Sequence, residues 1–202
     1  ENNGGGIDEM NHLMGGMPPE LWKLLCSGTY MDDRIRKISG SLDAVGYNYM
    51  AERYEKDCKD YPGRIIIGTE TYPADIVINW PLVEKHRNIL GDFCWTGYDY
   101  IGEVGIGDYV YAENGEKSGE VTWPQRTASC GDLDLIGYRR PVSYLREIVF
   151  GLRKKPYIAV ERMDHYGKEV YRTAWAYKKD VVRSYTWYGF EGKQTSVDVF
   201  SA

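Results

Sequence analysis

The run Arg64-Ile65-Ile66-Ile67-Gly68-Thr69 constrains the fold more than any other stretch. Three consecutive β-branched apolar residues, entered from the breaker pair Pro62-Gly63, read as a strand buried on both faces in a parallel sheet. The flanking segments repeat one pattern. Leu42 to Tyr49 reads as a strand, and Ala51 to Asp60 as a charged helix closed by Pro62-Gly63. Pro81 to Leu90 reads as a helix with Leu82, Val83, His86, Ile89 and Leu90 on one side. Gly91 then opens a third strand, Asp92 to Tyr98, followed by a long Gly-rich loop over residues 99–140. Pro141 starts a helix with Val142, Leu145, Ile148, Val149 and Leu152 at helical spacing. Such alternation predicts an α/β fold, a parallel sheet with crossover helices.

The two ends differ from this middle. Residues 1–40 are Gly- and Met-rich and read as a loop with one helical patch, Glu20 to Leu25, begun by Pro18-Pro19 and stopped by Gly28. After Lys155 the texture turns β-rich, with short strands expected at Tyr157 to Met163, Thr173 to Tyr177, Val181 to Tyr188 and Val197 to Phe200. The expected division is therefore residues 1–155 and 156–202. Three β/α units are too few for an eight-stranded barrel, which takes about 250 residues. They make either a small open sheet with a long lid or the last third of a barrel.

Composition removes several function classes. The chain has 25 basic and 30 acidic residues, net charge −5, and no basic stripe, so nucleic acid is not an expected partner. No apolar run reaches the ~20 residues a membrane helix needs. Cys26, Cys58, Cys94 and Cys130 form no CxxC pair, and His12, His86 and His165 lie far apart, so no zinc site is signalled. The unpaired cysteines tilt the compartment towards a reducing cytoplasm. Aromatic residues reach 14%, which suits either a Tyr-rich core or a site for a ligand with apolar and hydroxyl faces, such as a sugar.

In parallel α/β folds the working residues sit at the carboxyl ends of strands. The first strand ends in Asn48-Tyr49, the second in Thr69-Glu70-Thr71, and the third carries Trp95, Tyr98 and Asp99, with Glu103 beyond. Glu70 is the sharpest candidate: a carboxylate at the mouth of an apolar strand can be nucleophile, general base or metal ligand, or can cap a helix or pair with an Arg. Trp95 reads as core or as the floor of a sugar site. Tyr49 reads as structural or as a hydrogen-bond donor to the carboxylate.

The pieces LDAVGYNYMAERYEKD, YPGRIIIGTET, WPLVEKHRNILGDFCWTGYDYIGEVGIGDY and DLIGYRRPVSYLREIVFGLRKKPYIAV, in this order, resemble glycoside hydrolase family 2. SYTWYGFEGKQTSVDVFS resembles that family's passage from its barrel into an immunoglobulin-like domain. The resemblance runs from about residue 42 to the C-terminus. It implies the C-terminal portion of a (β/α)₈ TIM barrel, strands six to eight, and a retaining double displacement on terminal β-D-galactosides. Matched by motif, Glu70 becomes the nucleophile, Tyr49 its hydrogen-bond partner, Asn48 a sugar-lining residue and Trp95 the floor. Asp99 and Glu103 match motif positions on the substrate-binding side, or only brace the loop.

The sequence also departs from the family. The acid/base Glu is expected in an Asn-Glu pair, and no such dipeptide occurs. The expectation is thus a fragment, inactive alone, whose partners are a carbohydrate and the missing N-terminal part, with exposed strand edges that favour self-association, including a homo-oligomer. No cofactor is required; the resemblance admits magnesium or sodium without placing either, and implies a bacterial source. Three alternatives stay open: a non-catalytic carbohydrate-binding or scaffolding module, a β-glucuronidase-type specificity, and a metal-dependent hydrolase using Asp99, Glu103 and a histidine.

Overall fold

The structure is a computed structural model that describes residues 17–112 and 123–202. The irregular start expected over residues 1–16 and the middle of the Gly-rich loop lie outside the described residues. The chain gathers into two compact units, residues 1–95 and 96–202. The change of texture expected after residue 155 falls inside the second.

In the first unit, β1 (Ala44–Asn48), β2 (Ile65–Thr71) and β3 (Ile89–Cys94) form a parallel sheet in the order β1-β2-β3. Helices α3 (Tyr54–Asp60) and α4 (Ile76–Lys85) make the two crossovers. The segment before β1 holds α1 (Pro19–Ser27), as expected, and then a second helix, α2 (Thr29–Ser39), where a loop was expected. Val45, Tyr47, Ile66 and Ile89 are buried against Ile35 of α2, Cys58 of α3, and Leu82 and Val83 of α4. Burial of β2 is one-sided: Ile66 and Gly68 are covered, while Ile65 and Thr69 are exposed, because helices lie on one face only among the described residues. Leu90 of β3 is 62% exposed.

Charge, rather than apolar contact alone, ties α1 and α2 to the sheet. Arg53 is fully buried. Its Nη1 donates to the Cys26 carbonyl at 2.7 Å, its Nη2 to Asp32 and Asp57 at 2.8 and 2.7 Å. Asp57, also fully buried, accepts from Arg64 Nη1 at 3.0 Å and from the Tyr47 hydroxyl. Arg64 Nη2 reaches Ser39 Oγ at 2.9 Å. Burial, with the bond to Asp57 adding to it, pushes the Tyr47 hydroxyl up to about 12. Burial also raises Asp32, but hydrogen bonds from Arg53 and Lys56 outweigh it and hold that carboxyl below its ordinary range.

Two boundaries differ from expectation. Helix α4 starts at Ile76 and carries Pro81 inside it, where the sequence suggested Pro81 as its start. One missing N–H costs a single helix bond, and the 3₁₀ turn Pro73–Asp75 has already started the helix. Strand β3 then begins at Ile89 rather than Asp92, and Trp95 follows it.

The second unit contains β4 (Tyr100–Ile101), β5 (Tyr109–Tyr111), β6 (Thr127–Ala128), α5 (Pro141–Val149), β7 (Tyr157–Glu161), β8 (Val170–Arg172), β9 (Val181–Val182) and β10 (Val197–Phe200). Strands β10, β7 and β9 form an antiparallel sheet, whose Tyr157, Ala159, Val181 and Phe200 pack with Ile148 of α5. Leu152, expected on the apolar face of that helix, lies beyond its end and is 76% exposed. The strand expected at Thr173 to Tyr177 is a turn, closed by Ala176 N–H to the Thr173 carbonyl at 3.1 Å; the strand there is β8, paired with β5. No disulfide joins the four cysteines among the described residues. Cys26 and Cys130 are buried, which pushes each up to about 12.

Removing one member of a buried ion network leaves its partner's charge uncompensated, a loss of about 3–5 kcal/mol. Arg53→Met is expected to destabilise the chain by about that amount in urea unfolding followed by tryptophan fluorescence. Arg36→Ala, which breaks an exposed pair with Asp33, should leave the midpoint unchanged. Since Asp32 is lowered in the folded state, its contribution is fully present above the ordinary carboxylate pKa and is lost as pH falls through the lower folded value.

Candidate active site at the strand ends

The carboxyl ends of β1 and β2 lie side by side, and their register breaks there. Gly46 pairs with Ile67 and Tyr47 with Gly68, but Asn48 pairs with Glu70. Thr69 is therefore an extra residue, a bulge of the kind that re-aims side chains next to active sites. Thr69 Oγ1 donates to Asn48 Oδ1 at 2.6 Å, which leaves the Asn48 amide N–H₂ available as a donor on the open face of the sheet. Gly46 makes the bulge possible: a Cβ at residue 46 would sit 2.7 Å from the Thr69 methyl and 2.9 Å from its hydroxyl.

Glu70 is half-buried at this bulge. Its carboxylate has no hydrogen-bond or ion-pair partner among the described residues. The helix-capping and Arg-pairing readings of a strand-end Glu are not what the described residues display. Its carbonyl accepts from the Tyr49 N–H at 2.7 Å. Tyr49 is 9% exposed and has φ of 55°, a left-handed conformation rare for a bulky residue and costing about 1–3 kcal/mol. Its carbonyl accepts from Trp22 Nε1 at 2.7 Å, and its ring lies 4.5 Å from that of Tyr72, which follows β2. Asn48, Tyr49 and Glu70 are thus brought together by one ladder.

Behind Glu70, Thr71 Oγ1 donates to Asp92 Oδ2 at 2.9 Å. A Cβ at residue 68 would overlap the Tyr54 hydroxyl and lie 2.8 Å from Asp92 Oδ1, so only glycine fits between this strand and its helix. Burial, then the neighbouring Asp92 carboxylate, raises the Tyr54 hydroxyl well above the usual phenol range. Trp95 keeps its N–H on the Thr71 carbonyl at 2.9 Å, which continues the sheet one residue past β3 and holds its half-buried ring at the same end.

Asp99 and Glu103 belong to the second unit. Both Asp99 oxygens are engaged by Arg140, at 2.8 and 2.6 Å, and Oδ1 also accepts from the Gly131 N–H at 2.9 Å. Asp99 therefore braces the segment that leads into α5. Glu103, at φ of 41°, accepts from the Tyr100 hydroxyl. No three His, Cys, Asp or Glu side chains gather as a metal cage among the described residues. Trp22 and Tyr72 carry no signal of their own in the sequence, and Thr69 is legible there only as one of the polar residues at a strand end. The glycine inside the strand Ala44–Asn48 was the available signal that something approaches that backbone closely.

No family model matches the chain. Two solved structures described as glycosyl hydrolase family 2 members are similar to it. One, from Bacteroides cellulosilyticus, aligns at 37% identity over 83% of this chain and 21% of its own length, with a TM-score of 0.69. The chain belongs to glycoside hydrolase family 2. The second structure, from Bacteroides cellulosilyticus DSM 14838, aligns at 34% identity over 86% of this chain and 19% of its own, with a TM-score of 0.60. Beta-galactosidase BoGH2A of Bacteroides ovatus is 26% identical over 53% of this chain and 16% of its own length. The family 2 chain thus spans about a fifth of the length of these structures and about a sixth of that relative.

Inserting a methyl group where backbone and buried hydroxyl already touch should cost about 1–3 kcal/mol. Gly68→Ala is expected to lower the urea midpoint accordingly, and adding Tyr54→Phe should recover part of the loss. Equal loss in the single and double variants would mean that Tyr54 does not set the limit.

Proposed function

We propose that this chain supplies half of the catalytic pair of a retaining glycoside hydrolase acting on terminal β-D-galactosides. The observation that carries the reading is the position of Glu70: the bulged carboxyl end of a parallel strand, its carboxylate free of partners among the described residues. In a retaining enzyme one carboxylate attacks the anomeric carbon and displaces the leaving oxygen, which a second carboxyl about 5–5.5 Å away protonates. Glu70 forms the glycosyl ester. The second group then takes a proton from water, which attacks the same carbon and frees Glu70. That acid/base group comes from outside these residues, and its absence forfeits about 10²–10⁴-fold. In the assembled enzyme the Tyr49 hydroxyl would donate to Glu70, a bond not made among the described residues, while Asn48 would line the sugar and Trp95 form its floor. Asp99 and Glu103 brace the loop that carries them. The reaction as written uses no metal.

The parallel order β1-β2-β3 follows chain order, and Leu90 and Ile65 stand exposed on the face opposite the helices. Both features support reading these strands as the sixth to eighth of a (β/α)₈ barrel, whose other strands would cover that face. On this reading residues 1–155 complete the barrel and 156–202 lead into an immunoglobulin-like domain. The β-galactosidase relative favours galactosides over glucuronides.

The test is hydrolysis of aryl β-galactoside and aryl β-glucuronide by the complete protein that carries this chain. Cleavage of the galactoside is expected, with Glu70→Gln reducing kcat by more than about 10³-fold while leaving the fold intact. Retained activity in Glu70→Gln would make the residue structural. Preference for the glucuronide would move the substrate class and leave the nucleophile in place.

A further inference from the structure

We propose that Trp22 is a positioning residue for the reaction, acting through the backbone of Tyr49. This rests on the reading of Glu70 as nucleophile. Tyr49 is where β1 stops being a strand. In extended backbone, alternation would send its side chain to the face opposite Asn48, the face packed with helices. The φ of 55° ends the extended run at Tyr49, and its ring is buried against that of Tyr72. The carbonyl of Tyr49 meets a side-chain donor from outside the sheet.

Trp22 supplies it. The indole Nε1 donates to that carbonyl at 2.7 Å across 27 residues of sequence, from helix α1. The other backbone group of Tyr49, its N–H, is already fixed on the Glu70 carbonyl at 2.7 Å. The Tyr72 ring, 4.5 Å away, closes the remaining side. One residue is thus held at N–H, C=O and ring, and two of those three holds belong to Glu70 and to the residue two positions after it. A buried carbonyl in a strained residue needs a partner, and only a long side chain carrying a donor and no acceptor meets it here without competing for the carboxylate. Helix α1 is itself anchored, since Arg53 holds the Cys26 carbonyl at 2.7 Å. The chain of contacts runs from the buried ion network, through α1 and Trp22, to the backbone of Tyr49 and from there to the Glu70 carbonyl.

The decisive comparison is Trp22→Phe, Tyr49→Phe and the double variant in the complete protein, assayed on the aryl galactoside. Trp22→Phe keeps an aromatic ring and removes the donor. It should lower kcat about 10- to 100-fold with KM changed less than about twofold. In the Tyr49→Phe background, Trp22→Phe should change kcat less than about twofold, since both remove one interaction. Additive losses would overturn the proposal. So would an unchanged kcat in Trp22→Phe, provided Glu70→Gln is inactive. If Glu70→Gln retains activity, the reading beneath the proposal has failed and the clamp has no catalytic role. Should Trp22→Phe not fold, indole N–H exchange in the unaltered chain decides. Protection of the Trp22 N–H comparable to the β1–β2 amides supports the clamp. Exchange as fast as that of Trp123, which is 72% exposed, overturns it.

Discussion

A carboxylate with no exposure holds the first unit together. Asp57 sits between Arg53 and Arg64 with the Tyr47 hydroxyl on one oxygen, and each of those partners belongs to a different part of the chain. Arg53 opens the connection after β1, Arg64 precedes β2, and Tyr47 lies within β1. Through Arg53 the same cluster reaches Asp32 on α2 and the end of α1. An apolar cluster of equal volume could be as stable, but it would not fix these segments to one another in a single geometry. Two cations and a phenol around one carboxylate accept few alternative arrangements, so the helices that precede β1 are placed by the elements that follow it.

That placement matters because the strand ends beside Glu70 are irregular. A regular ladder would alternate Asn48, Tyr49, Thr69 and Glu70 between two faces. The bulge at Thr69 breaks the alternation on β2, and the left-handed Tyr49 ends the extended run of β1 beside it. Such strain persists only where the surroundings over-determine it. The surroundings here are specific: Gly46 yields space to Thr69, Gly68 yields space to Tyr54, and Trp22 donates to the Tyr49 carbonyl.

Much of this frame was legible in residues. The isoleucine run with its flanking breakers identified β2, the spacing of Val142, Leu145 and Ile148 identified α5, and the strand-end rule singled out Asn48, Tyr49 and Glu70. What escaped has common physical causes. Helix α2 carries a mostly polar sequence whose partners, Arg53 and Arg64, lie 20 or more residues away, so local apolar periodicity gave no signal. Pro81 looked like a helix start because proline is rarely tolerated inside one. The short strands of the second unit are defined by pairing across long separations, as between Val110 and Tyr171, rather than by local alternation. The role of Asp99 depends on Arg140, which spacing alone could not bring to it.

The distribution of sulfur has a practical consequence. Cys26 lies in one compact unit and Cys130 in the other, both buried and both held as thiols by that burial. Alkylating reagents need a thiolate and a path to it, and the folded units deny both. Each unit therefore carries its own chemical clock. The rate at which a reagent labels Cys26 reports openings of residues 1–95, and the rate at Cys130 reports openings of residues 96–202, so peptide mapping of one labelled sample resolves the local stabilities of the two halves without any added probe.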